Sequence, residues 1–235
     1  MPILALDTAT LVSSVALVTN DRLLAEITLQ TKKTHSELLM PHIVKLLDMA
    51  EVAKSDIKAV AVSIGPGSFT GLRIGLSTAK TLAYALNIPL VGVPTLSAMA
   101  YGCPVPGVIL APMLDAQKGN VYQALFEWQQ GELKEIEPAT VIHVDDTLAK
   151  LSQLDRPVML LGESAVMYSE KIKQIGKNLI VAAPHIIIQR ASSVAGLGHK
   201  LIAQGIQHDV MNLEPVYVRR SEAEVLWERR HGIPV

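Results

Sequence analysis

The strongest constraint on this chain is a statement made twice. Residues 3–29 read ILALDTATLVSSVALVTNDRLLAEITL, and residues 108–137 read VILAPMLDAQKGNVYQALFEWQQGELKEIE. Each segment opens with an apolar run that ends on an acid, Asp7 or Asp115. Each then passes through a turn into a strand and folds back into another strand, the first through Asn20-Asp21. Aligning Val121 with Val15 leaves two fewer residues between Asp115 and Val121 than between Asp7 and Val15. A strand-and-hairpin unit recurring about half a chain apart is an internal duplication, and it predicts two related lobes.

The remaining elements agree. Hydrophobic periodicity predicts a helix over 36–50 and a buried strand over 59–64. A helix over 70–86 is stopped by Asn87 and Pro89, a strand follows over 90–93, and a short helix covers 95–101. GCPVPG at 102–107 suits neither helix nor central strand, so the boundary falls there, dividing 1–103 from 104–235. The second half continues with a helix over 144–151, a strand over 158–162, helices over 164–176 and 191–205, and an extended EPVYVR. Duplicated strand-hairpins interleaved with helices predict an α/β chain of the actin-like type (the ASKHA, ribonuclease H-like fold), with two related lobes facing a cleft.

Bulk properties exclude several functions. With 49% hydrophobic and 18% charged residues in 235, the chain can build proper cores. A net charge of −1 without a dense basic block does not suit a nucleic-acid binder acting alone. Arg219, Arg220, Arg229 and Arg230 alternate with glutamates and read as a solvated, salt-bridged tail. Cys103, the single cysteine, excludes an intramolecular disulfide and a cysteine-based zinc site. No signal peptide is read at MPILALDTA, and no run of about 18 apolar residues occurs. The expectation is a cytoplasmic protein.

An actin-like cleft raises the question of nucleotide chemistry, and SIGPGSFTGLRIGL at 63–76 is where a phosphate cradle would lie. The P-loop spacing fails: from Gly65 the required glycine falls on Thr70, from Gly67 on Leu72, and no lysine follows. The dinucleotide spacing fails too, because its third glycine arrives one residue late. The mechanical reading is that Pro66-Gly67 reverses the chain, Ser68 or Thr70 caps a helix, and Gly71 and Gly75 permit close packing. Asp7-Thr8 and Asp115-Ala116 are candidate contacts for a metal-bound phosphate, yet glycines do not flank either aspartate. Asp7 and Thr8 are therefore retained only as a weak nucleotide contact. His35 and His42 lie seven residues apart, about 10 Å along a helix, too far to share one zinc. No HExxH and no G-x-S-x-G elbow occurs, so neither a metallopeptidase nor a serine hydrolase is expected, and no metal site is assigned.

Two helix faces point to a partner. On 70–86, Leu72, Leu76, Ala79, Leu82, Ala83 and Leu86 form the core stripe. The opposite face carries Ile74, Ser77, Thr78, Thr81, Tyr84 and Ala85, all uncharged. The helix over 36–50 has an apolar arc (Leu39, Met40, Ile43, Val44, Leu46, Leu47, Ala50) wider than one core contact needs. Leu39, Met40, Ile43 and Val44 with the neutral face are the expected partner interface. A self-complementary patch of this kind also predicts a symmetric homodimer when the chain is alone.

LDTAT at 6–10, Gly65–Gly75 (GPGSFTGLRIG, including Pro66, Phe69 and Arg73), the Asp115-Ala116…Val121-Tyr122 hairpin and EPVYVR at 214–219 together resemble the TsaB (YeaZ) family over essentially the full chain. The resemblance implies a non-catalytic relative of TsaD, the subunit that puts threonylcarbamoyl on the adenosine beside the anticodon of tRNAs reading codons that begin with A. It implies TsaD as direct partner, the ATPase TsaE in the larger complex, and tRNA met only through that complex. It further implies no tightly bound cofactor, with ATP or ADP held weakly or in the complex. One departure stands out: Gln117 and Asn120 occupy the hairpin turn where the family pattern leads one to expect arginine and glutamate. The rival expectation is an actin-like small-molecule kinase binding Mg-ATP between the lobes.

Overall fold

The computed structural model describes residues 1–31 and 34–219. The duplication proves topologically complete. Strands β1 (Ile3–Asp7), β2 (Val12–Val18) and β3 (Leu23–Gln30) form an antiparallel meander. Helix α1 (His35–Met49), strand β4 (Ala59–Gly65), helix α2 (Phe69–Leu86) and strand β5 (Leu90–Pro94) follow, and β4 and β5 join the sheet in parallel. The sheet order is β3-β2-β1-β4-β5. After helix α3 (Thr95–Tyr101), the second half repeats the scheme with β6 (Ile109–Asp115), β7 (Asn120–Gln129) and β8 (Glu132–His143). Next come helix α4 (Val144–Ser152), strand β9 (Val158–Leu161), helices α5 (Glu163–Met167) and α6 (Ser169–Ile175), and strand β10 (Leu179–Val181). Its order, read from the meander edge, is β8-β7-β6-β9-β10, the same as in the first sheet.

Strand β1 shows how the first lobe is layered. All five of its residues are buried, so both faces of the sheet are covered. Leu4 and Leu6 point into a core built with Leu39, Ile43 and Leu46 of α1 and Leu76 and Ala79 of α2. Ile3 and Ala5 point the other way, into a cluster with Ala61, Val91, Val194 and Ala195. The last two belong to helix α7 (Ala191–Ala203), which returns from the far end of the chain to pack on β1, β2 and β4. Small residues let it approach closely: a Cβ on Gly198 would lie 2.8 Å from that of Ala61. Glu26 of β3 anchors the helix start, accepting from Ser192 N at 3.1 Å and Ser192 Oγ at 2.8 Å while pairing with Arg190.

Three details depart from the sequence reading. The ladder register pairs Asp7 with Ser14 and Asp115 with Val121, so the second connection is one residue shorter, not the two obtained by aligning Val121 with Val15. Val15 faces Leu6 and Tyr122 faces Leu114, so the apolar match of Val121 with Val15 is out of register by one residue. The helix expected over 164–176 is two helices broken at Tyr168 (φ −103°, ψ 17°), which lets α6 turn onto β10 and α4. Strand β10, hidden in the short run NLIV, was not anticipated and pairs in parallel with β9. Arg220, Arg229 and Arg230 of the expected tail lie outside the described residues.

Candidate functional site

Strand β4 ends at Gly65, the chain reverses at Pro66-Gly67, and Ser68 caps α2 by accepting from Gly71 N at 3.2 Å. The glycines that follow are fitted against the loop after β1. A Cβ on Gly67 would sit 2.3 Å from Ala9 O, one on Gly71 2.0 Å from Thr8 O, and one on Gly75 2.3 Å from Thr8 Oγ1. Hydrogen bonds close the same seam: Ser68 N donates to Ala9 O at 2.6 Å and Thr8 Oγ1 donates to Gly71 O at 2.7 Å. A phosphate cradle leaves its backbone N–H groups free for the anion. Here those of Ser68 and Gly71 are engaged within the protein.

The same segment meets EPVYVR. Val216 N donates to Ile64 O at 2.7 Å, and a Cβ on Gly65, itself at φ +119°, would lie 2.5 Å from Val216 O. Phe69 and Tyr217 stack with centroids 3.9 Å apart, nearly parallel at 7°. Arg73 caps the stack, its Nε donating to Tyr217 Oη at 3.0 Å. Two stretches that carry the family resemblance are thus one packed unit, a link that sequence reasoning did not make.

Asp7 and Thr8 do not reach the cleft. Asp7 is fully buried, its Oδ2 accepting from Ser63 Oγ at 2.5 Å and its Oδ1 from Ala9 N at 3.0 Å. Burial holds its carboxyl above the usual range, with the Ser63 bond opposing. Thr8 is buried against Gly71. The residues that line the roughly 650 Å³ space between the lobes are others: Thr10, Ser68 and Thr70 on one wall, and Asp115, Glu163 and Tyr122 on the other. Arg219 also lines this space and donates to Ala116 O. Burial pushes the Glu163 carboxyl upward, and the nearby Asp115 charge adds to this. Asp115 and Glu163 thus share this wall with the Arg219 guanidinium. Gln117 and Asn120 are tied to each other, Asn120 N donating to Gln117 O at 3.0 Å, with Gln117 at φ +64°. Glu163 was not anticipated; its signal was positional, since Gly162-Glu163 follows β9 as the glycine turn follows β4.

The histidines are separated in role. His35 Nε2 lies 2.6 Å from Thr10 O, whereas His42 is buried, which lowers its pKa. Among the described residues no group of three or more metal-ligating side chains occurs, and no described helix is long and apolar enough to cross a membrane.

Helices α1 and α2 lie side by side, with a groove of about 380 Å³ between them. The apolar arc of α1 divides. Leu39 and Ile43, expected at the partner face, are core residues at 1% and 2% exposure, because the sheet takes the inner half of the arc; Leu39 also floors the groove. Met40 and Val44 face outward, 46% and 62% exposed. On α2, Ser77, Thr81, Tyr84 and Ala85 are exposed, and Ile74 and Thr78 are half-buried. Thr81 Oγ1 donates back to Ser77 O at 2.8 Å and so reaches for nothing outside its helix. Lys80 is drawn off this face, donating to Met211 O and Leu213 O at 2.9 and 3.0 Å. What remains is an uncharged exposed strip.

Comparison with known proteins places these features. Residues 22–227 match the family described as TsaD, tRNA N6-adenosine threonylcarbamoyltransferase. The chain is 36% identical to the tRNA threonylcarbamoyladenosine biosynthesis protein TsaB of Bacillus subtilis (strain 168), covering 97% of this chain and 98% of that one. It is 29% identical to the protein of the same description from Escherichia coli (strain K12), covering 99% of each. Among solved structures, YeaZ from Pseudomonas aeruginosa superposes with a TM-score of 0.74 at 28% identity, covering 92% of this chain and 99% of that one.

Proposed function

The chain belongs to the TsaB family, and from that premise we propose that it is the non-catalytic subunit that binds and supports TsaD in forming threonylcarbamoyladenosine on tRNAs reading codons that begin with A. The observation that carries this reading is the uncharged strip of Ser77, Thr81, Tyr84 and Ala85 beside exposed Met40 and Val44. Water-facing helix surfaces ordinarily carry charge, and small uncharged residues suit a second helix at about 8–10 Å. TsaD is the partner that covers it, TsaE joins the larger complex, and tRNA is met through the assembly. Alone, the chain pairs with itself through the same strip.

The cleft supports a non-catalytic role. With Asp7 bonded inside the lobe, the first-lobe acid of a kinase site is engaged elsewhere. No cofactor is bound tightly; ATP or ADP is held weakly or within the complex. No observation favours the rival kinase reading.

Thr81→Arg is the test. An unpaired charge buried at a helix contact costs several kcal/mol, and about 4 kcal/mol weakens binding roughly a thousandfold. Because Thr81 is exposed in the free chain, the monomer should keep its stability to within about 0.5 kcal/mol. Calorimetry with TsaD and sedimentation of the chain alone should both show loss of association, with the melting temperature of dilute monomer unchanged. A folded variant that binds TsaD normally places the interface elsewhere.

A further inference from the structure

Arg73, on the second turn of α2, stands at one end of the α1–α2 groove. Its guanidinium carbon lies 4.9 Å from the Phe69 centroid and 5.9 Å from that of Tyr217, and its Nε is held by Tyr217 Oη. The guanidinium is held at three points, while its Nη1 and Nη2 have no carboxylate partner among the described residues. The acid of α1 next in sequence to the groove residues His35 and Ser36, Glu37, caps its own helix by accepting from Thr34 N at 3.0 Å. The rest of the groove is formed by Leu39, Met40, Ile74, Ser36, Ser77 and Thr78, with His35, whose Nε2 lies against Thr10 O. One cation at the head of an uncharged trough does not suit a nucleic-acid backbone, which is held by several cations spread along it.

We propose that Arg73 is the recognition residue of this face, and that the groove takes a partner helix bearing an aspartate or glutamate opposite Arg73 and small or apolar residues over Ser77 and Thr78. The proposal rests on the functional reading above and names the chemistry of the partner at that same face. A planar fork held in place before binding loses little freedom on meeting a carboxylate bidentately, which is why such arginines dominate contacts. A second copy of this chain, pairing groove to groove, brings no carboxylate from the residues lining the groove.

The test uses Arg73→Met, which keeps a stem against Phe69 and Tyr217 but removes the fork, and Arg73→Lys, which keeps charge without it. Affinity for purified TsaD is measured by calorimetry at low and moderate salt, alongside Thr81→Arg and melting temperatures. Arg73→Met should weaken binding about thirtyfold or more and flatten its salt dependence, with Arg73→Lys recovering only part. Wild-type affinity in Arg73→Met, or a loss with an unchanged salt dependence, overturns the proposal. Should Arg73→Met fail to fold, Arg73→Gln is read by the same criteria. If Thr81→Arg abolishes binding and Arg73→Met does not, the carboxylate is refuted and the TsaD reading stands. If neither changes binding, both fall.

Discussion

Replacing Gly71 by alanine tests whether the glycine segment is a packing device. In an exposed helix the change would gain up to about 1 kcal/mol. Here the new Cβ would lie 2.0 Å from Thr8 O, so one backbone must retreat by about 1 Å to reach even a tight contact of about 3 Å. The loop bearing Thr8 has little freedom to do so. It is held by Ala9 N to Asp7, by Ser68 N to Ala9 O, and by Thr8 Oγ1 to Gly71 O. Overpacking costs about 1–3 kcal/mol, and straining two of these bonds adds about 1 kcal/mol each. Less the helix gain, Gly71→Ala should destabilise by about 2–4 kcal/mol, lowering the melting temperature by roughly 5–15 °C for a chain of this size. Gly75→Ala meets Thr8 Oγ1 at 2.3 Å, a side-chain atom that can rotate away. It should therefore cost less, and Thr8→Ala should relieve Gly75→Ala but not Gly71→Ala. Thermal melts of the three single variants and the two doubles that carry Thr8→Ala decide the matter. Gly71→Ala melting at or above wild type would refute the packing argument.

Two further outcomes follow from groups buried in the first lobe. Asp7 binds its proton more tightly folded than unfolded, so the stability it contributes is full below the ordinary value of 3.8 and is lost as pH rises through its raised value. Urea midpoints of wild type and Asp7→Asn should accordingly diverge in the variant's favour as pH rises from acid to neutral; a constant difference contradicts this. Glu26→Ala strips Arg190 and Ser192 of their partner and should cost about 3 kcal/mol, with Glu26→Gln costing less. Equal midpoints for Glu26→Ala and wild type would show that α7 is held by its apolar face alone.

The amino-acid pattern by itself determined the duplicated strand-hairpins, most helix positions, a cap at Ser68 or Thr70 (Ser68 in the structure) and the stop at Asn87 with φ +51°. These depend on periodicity and on short-range backbone chemistry, which act over a few residues. It also showed that α2 has an uncharged face. Tertiary structure alone decided what each apolar or acidic residue meets. The arc of α1 is continuous in sequence, yet the sheet claims Leu39 and Ile43 and leaves Met40 and Val44 to solvent. Asp7 and Asp115 end equivalent strands, but Ser63 and the backbone of Ala9 surround the first, while the second lines the cleft. Arg73 is aimed by Tyr217, 144 residues later, and the outer layer of the first sheet comes from α7. Burial and orientation are set by neighbours that chain folding brings together, and such neighbours leave no periodic trace along the sequence.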